Sequence, residues 1–222
     1  LSAVTDASVY GGAGTDSLTI SSLINTGEMI GGGGNDTIVI GAGSTFDSLT
    51  VQGGAGTDSI KFSGAVSGAD FGTLEFGAFT DSTVSAYDTV DITSVSAGKA
   101  ATVDFAVTSA GVLGSAGASL STLGDIATGA FVTGVGVSGS VTGGFMTLQV
   151  SAGVSTAAGF ADQATLLATS GNKGSSVLFE TGGNVYLFIQ GGASGTSDDL
   201  MVEFDGANVA TTTGGTITFT TD

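Results

Sequence analysis

The sequence predicts an all-β fold, and three observations carry that prediction. Glycine-rich GGxGxD turns recur at a near-constant spacing. Short aliphatic segments that alternate with polar residues flank those turns. Beyond them the chain is rich in Gly, Ser, Thr and Val, with 40 Gly and no Pro among 222 residues.

The repeats come first along the chain. Gly11-Gly12-Ala13-Gly14-Thr15-Asp16 is followed by Gly31-Gly32-Gly33-Gly34-Asn35-Asp36 and by Gly53-Gly54-Ala55-Gly56-Thr57-Asp58, each leading into one polar and one aliphatic residue. A weaker copy, Gly77-Ala78-Phe79-Thr80-Asp81-Ser82, has Phe79 where a Gly would stand. The spacing of Asp16, Asp36, Asp58 and Asp81 suits one coil of two strands, each of about five to six residues, joined by two turns. Roughly four coils then fit residues 1–94. Asn25, Asp47 and Asp70 recur in step with the glycine clusters and are expected to stabilise the opposite turn of each coil, a series that Asp88 extends.

Strands are expected on both sides of each glycine turn. Leu18 and Ile20, Ile38 and Ile40, and Ile60 and Phe62 should point inward as stacked rows, with Thr19, Val39 and Lys61 outward, because strand side chains alternate between faces. Met29-Ile30, Leu49 to Val51 and Leu74 to Phe76 form the strands that lead into the turns. After about Ser94 the coil period is lost, and antiparallel strands are expected over 101–108, 130–137 and 145–150. One helix is expected near 157–169, where Phe160, Ala164, Leu167 and Ala168 share a face and Gly171 can stop it. Ser176–Glu180 and Asn184–Gln190 flank Gly182-Gly183 as a hairpin. A further strand follows at Leu200–Phe204, and this tail is expected to cover the open strand edges of the coil. The domain reading is a repeat coil over 1–94 and a β-rich capping region over 95–222.

Composition narrows the chemistry. The chain has no His and no Cys, which removes the usual zinc ligands, thiol nucleophiles and an imidazole base. Nothing marks a substrate cleft among the carboxylates, so the chain is not expected to be an enzyme. The formal net charge is −17, with Lys61, Lys99 and Lys173 the only basic residues. Nucleic acid is therefore an improbable partner. The uncharged stretch 126–161 carries Gly, Ser and Thr and alternates like a strand, so no transmembrane segment is expected. The N-terminal residues lack the basic-then-apolar order of a secretory signal, and export by that route is not expected from them.

Calcium suits what remains. It takes six to eight oxygens, from carboxylates and carbonyls together, at about 2.3–2.6 Å. A GGxGxD turn offers both, since its glycines let the backbone curl carbonyls toward one centre and its Asp adds charge. One turn has too few ligands, but turns stacked about 4.8 Å apart enclose an ion between them. Three full copies predict two ions, one between the Asp16 and Asp36 turns and one between those of Asp36 and Asp58. A phosphate cradle is disfavoured, because no Lys follows the glycines and no helix begins there.

These repeats resemble the calcium-binding nonapeptides of RTX proteins. The resemblance implies a short right-handed parallel β-helix or β-roll. It implies that the carbonyls of Gly11, Gly12, Ala13 and Gly14 with Asp16, of Gly31 to Gly34 with Asp36, and of Gly53, Gly54, Ala55 and Gly56 with Asp58 ligate calcium. Here the motif occurs once per coil, so ions would line one edge only. Asp81, Asp198 and Asp199 are weaker metal candidates. The segment 176–206, with Asn184-Val185-Tyr186-Leu187-Phe188 and Ser197 to Glu203, is similar to the C-terminal part of type I secreted bacterial S-layer proteins. From that likeness follow an extracellular or cell-surface location, further copies of the chain in a lattice or filament, and a cell-surface polysaccharide as partners. A second reading stays open: the calcium-folding and secretion module of a larger secreted enzyme or adhesin.

Overall fold

Along the short strands that follow the glycine turns, buried aliphatic residues alternate with more exposed ones, so each of these strands has one face to bury, and a pair of facing sheets buries it. In the computed structural model the chain supplies those two sheets alternately. The structure describes residues 4–21, 23–41, 45–63, 70–78, 81–94, 100–107, 121–122, 129–130, 138–142, 145–149, 175–189, 198–206, 208–213 and 216–220. Those residues are almost entirely strands and turns, so the fold is all-β and contains parallel sheet.

Strands β1 (Val4–Ala13), β3 (Leu23–Gly33), β5 (Thr45–Ala55), β7 (Asp70–Phe76) and β9 (Ala100–Val107) lie side by side in parallel in one sheet. Strands β2 (Ser17–Ile20), β4 (Thr37–Ile40), β6 (Ser59–Phe62) and β8 (Asp88–Asp91) do the same in the other. Register aligns Leu18, Ile38, Ile60 and Val90 in one row and Val9, Met29, Val51 and Leu74 in another. Of these, Met29, Ile38 and Val90 are fully buried. Thr19 is exposed, and Val39 and Lys61 are half-buried on the outer face. There Lys61 pairs with Asp91 of the neighbouring strand. The inward rows expected from the sequence are therefore present.

The later strands close the coil on one side. β16 (Leu200–Asp205) pairs in parallel with β8, and β18 (Thr216–Thr220) pairs antiparallel with β9. β14 (Ser175–Thr181) and β15 (Asn184–Ile189) form the expected hairpin, with Gly182 and Gly183 at φ 65° and 87°. β15 then lies antiparallel to β16. β10 (Ser121–Thr122), β11 (Gly129–Ala130), β12 (Ser138–Thr142), β13 (Phe145–Gln149) and β17 (Asn208–Thr213) complete the two sheets. At the other side β1 and β2 are the terminal strands of their sheets.

Three expectations change in detail. β9, expected as an antiparallel strand, is antiparallel to β18 on one side but continues the parallel sheet on β7 on the other. Asn25 and Asp47 lie inside β3 and β5 at a register shift, where Asp47 is an extra residue between the pairs Asn25–Phe46 and Thr26–Ser48. They mark a bulge and not a turn, because the extra residue is absorbed by the strand. The first three residues of each glycine motif also belong to a strand, and the bend begins on the last Gly. The helix expected near 157–169 and most of the strand expected over 130–137 lie outside the described residues. Among the described residues, no helix is long and apolar enough to cross a membrane.

Candidate metal centre

In each of the first three coils the residue on the inward face just before the bend is a glycine, namely Gly11, Gly31 or Gly53, and the aspartate five residues on folds into the corner left open. A Cβ at Gly11 would stand 2.8 Å from Asp16 Oδ2 and 2.5 Å from the Gly31 carbonyl oxygen. One at Gly31 would overlap Asp36 Oδ2, and one at Gly53 would overlap Asp58 Oδ2. The motif's first glycine is thus the space that the carboxylate occupies.

The aspartates form a ladder along this edge. The backbone N–H of Asp16 donates to Asp36 Oδ1 at 2.8 Å, that of Asp36 to Asp58 Oδ1 at 2.8 Å, and that of Asp58 to Asp88 Oδ1 at 2.8 Å. Asp36, Asp58 and Asp88 therefore each spend one oxygen on the coil before. The Oδ2 atoms of Asp16, Asp36, Asp58 and Asp88 are buried and have no hydrogen-bond partner. Asp36 and Asp58 are each 2% exposed and Asp88 is fully buried. Leaving a buried carboxylate oxygen without a partner is costly unless a proton or a cation meets it.

The backbone adds more oxygen to the same edge. A Cβ at Gly32 would overlap the carbonyl oxygen of Gly12, one at Gly54 that of Gly32, one at Gly34 that of Gly14, and one at Gly56 that of Gly34. The carbonyls of Gly12, Gly14, Gly32 and Gly34 therefore face the next coil. Those of Gly33 and Ala55 accept the N–H groups of Gly14 and Gly34 at 2.6 and 2.8 Å, so they belong to the strand ladder. No three acidic side chains gather as a metal cluster among the described residues. An ion here would take one carboxylate per coil and carbonyls for the rest, which suits calcium, a hard ion that accepts mixed oxygen ligands. Residues and ion fit.

The fourth rung is Asp88, and the ladder bond reaching it spans 30 residues where the earlier ones span 20 and 22. Asp81, the residue expected there, instead turns its Oδ2 onto the N–H groups of Gly77 and Ala78 at 2.8 and 2.9 Å. The coil differs at Phe76. Continuing the Val51–Leu74 pairing by two residues sets Phe76 opposite Gly53, so a large buried side chain stands where the other coils have a glycine. Asp88 carries a signal that was readable. Asp16, Asp36, Asp58 and Asp88 are each followed by Ser or Thr and then Leu, Ile or Val, whereas Asp81 is followed by Ser82 and Thr83. Asp198 and Asp199 lie at the entry to β16, away from the ladder position, which register gives to Val202.

Because Val202 follows Asp88 in register, the ladder needs another end. The fully buried Ser82 supplies it: its Oγ accepts the N–H of Asp88 at 2.8 Å and donates to the carbonyl of Met201. Ser82→Ala would leave both groups unpaired, and a loss of about 2–3 kcal/mol is expected in urea unfolding. Wild-type stability in that variant would contradict this role.

Burial, the first cause, pushes the Asp88 carboxyl up to about 8 and that of Asp58 up to about 6. The N–H groups of Asp58 and Asp36 pull the other way, and neighbouring carboxylates, Asp81 among them, push up further. Among the described residues the one Lys is Lys61, which is held by Asp91. Without a cation, then, the folded state keeps protons that the unfolded chain releases near pH 4. The sign follows: the stability that these two carboxyls contribute to the cation-free protein is full below about pH 4 and is lost as pH rises to about 8. In chelator, the urea midpoint at pH 8 should lie below that at pH 5. Equal midpoints would contradict the buried ladder.

No protein-family model matches the chain, and no curated protein matches it.

Proposed function

We propose that this chain is a calcium-dependent structural protein of the cell surface, an S-layer or filament subunit that folds and assembles on binding calcium after secretion. The observation that carries the reading is the aspartate ladder, whose buried Oδ2 atoms have no partner and lie along an edge lined by glycine carbonyls. In this reading the coil is an RTX-type β-roll. Asp16, Asp36 and Asp58, with the carbonyls of Gly12, Gly14, Gly32 and Gly34, would hold two ions between successive turns.

Calcium supplies counter-charge there, turning a stack of like charges about 4.8 Å apart into an attractive one. The residues do the rest. Glycines keep the corner open, ladder hydrogen bonds fix one oxygen of each carboxylate, and the inward rows of Leu, Ile and Val hold the coils in register. An ion bound only by the folded chain stabilises it by about 2.7 kcal/mol per site when free calcium is a hundredfold above Kd. Assembly is supported by β1 and β2, each the terminal strand of its sheet and so able to pair with another strand. The secretion-module reading shares the same ion chemistry and differs only in what the chain is joined to.

Circular dichroism and light scattering during a calcium titration test this. Calcium should raise strand content and then particle size, and magnesium, which demands octahedral geometry, should do neither well. Strand content and size that stay the same in chelator would end the reading.

A further inference from the structure

We propose a further calcium site between the turns carrying Asp58 and Asp88, outside the glycine motif and resting on the calcium reading above. The 2.8 Å bond from the Asp58 N–H to Asp88 Oδ1 matches those of the motif rungs. Asp58 Oδ2 and Asp88 Oδ2 are both buried and without a partner, on residues 2% and 0% exposed. That is the state of the oxygens in the two motif intervals, reproduced where no second glycine motif is present.

The rung is also fixed in place. Ser82 accepts the Asp88 N–H, its hydroxyl donates to the Met201 carbonyl, and the Met201 N–H donates to the Ser82 carbonyl at 3.1 Å. Asp88 is therefore held between β6 and the closing strand β16. Asp81, 8% exposed, lies on the turn that leads to Ser82 and keeps its Oδ2 on the N–H groups of Gly77 and Ala78, so the site rests on Asp58 and Asp88. Oxygen is the only ligand chemistry present, since the chain has no His and no Cys. That favours a hard divalent cation over zinc. Val202 at the next register position ends the series, so the edge has three intervals between aspartates and not two.

Native mass spectrometry of the full chain in calcium tests the site with Asp88→Asn, which keeps an acceptor oxygen for the Asp58 N–H. The variant should carry one ion fewer than wild type while melting no lower than wild type in chelator. An equal ion count overturns the site. If Asp36→Asn loses ions and Asp88→Asn does not, this site alone fails and the motif sites stand. If wild type carries no calcium, the functional reading fails and this site with it. Should Asp88→Asn not fold, Tyr87→Phe carries the test. Tyr87 adjoins Asp88, so its loss should lower tyrosine-sensitised emission from terbium bound in place of calcium, and unchanged emission overturns the site.

Discussion

Gly54→Ala is expected to destabilise the protein by at least about 1 kcal/mol more than Gly12→Ala, although the two glycines hold the same position in their motifs. Both have positive φ, 102° and 114°. A methyl group at either meets the left-handed penalty of about 1–2 kcal/mol. Only Gly54 has a coil stacked against it on that side. Its Cβ would overlap the carbonyl oxygen of Gly32, which cannot rotate away as a flexible side chain could, whereas nothing lies within 4 Å of a Cβ at Gly12. Overpacking of this kind adds about 1–3 kcal/mol. Urea midpoints of the two variants decide the matter, and equal losses would mean that the coils do not stack in this register.

A larger change is expected from Asp36→Asn, and only when calcium is present. Asp36 alone lies between two motif aspartates, giving its N–H to Asp58 and taking that of Asp16. With calcium a hundredfold above Kd, losing both flanking sites removes about 5 kcal/mol of stabilisation. In chelator the same variant should be as stable as wild type or more so, because an amide replaces a buried carboxylate whose second oxygen has no partner. Unfolding with and without calcium reads the difference. A loss of the same size in both would show that Asp36 serves the turn and not an ion.

Much of this edge was legible in the sequence because each motif residue has a local reason. Gly31 is glycine because the carboxylate of Asp36 fills its side-chain space, and Ile38 is aliphatic because it enters the core three residues after the bend. The inward rows follow from period two and needed no tertiary knowledge. What spacing hid was the fourth coil. Phe76 replaces the motif's first glycine, the turn lengthens, and the rung passes from Asp81 to Asp88, eight residues beyond the step that the period gives. Only the order Asp, polar, aliphatic survives the insertion. The parallel placement of β9 was hidden for a different reason, since no GGxGxD turn follows it to mark another coil. Likewise Asn25 and Asp47 kept step with the repeat, but a bulge repeats as regularly as a turn does.

Diffraction from crystals grown in calcium, with anomalous scattering from the ion, tests the central claim most directly. Anomalous peaks are expected on the glycine edge between Asp16 and Asp36 and between Asp36 and Asp58, each within ligand distance of an Oδ2 atom. An edge without peaks in millimolar calcium, with the ladder hydrogen bonds intact, would contradict the claim.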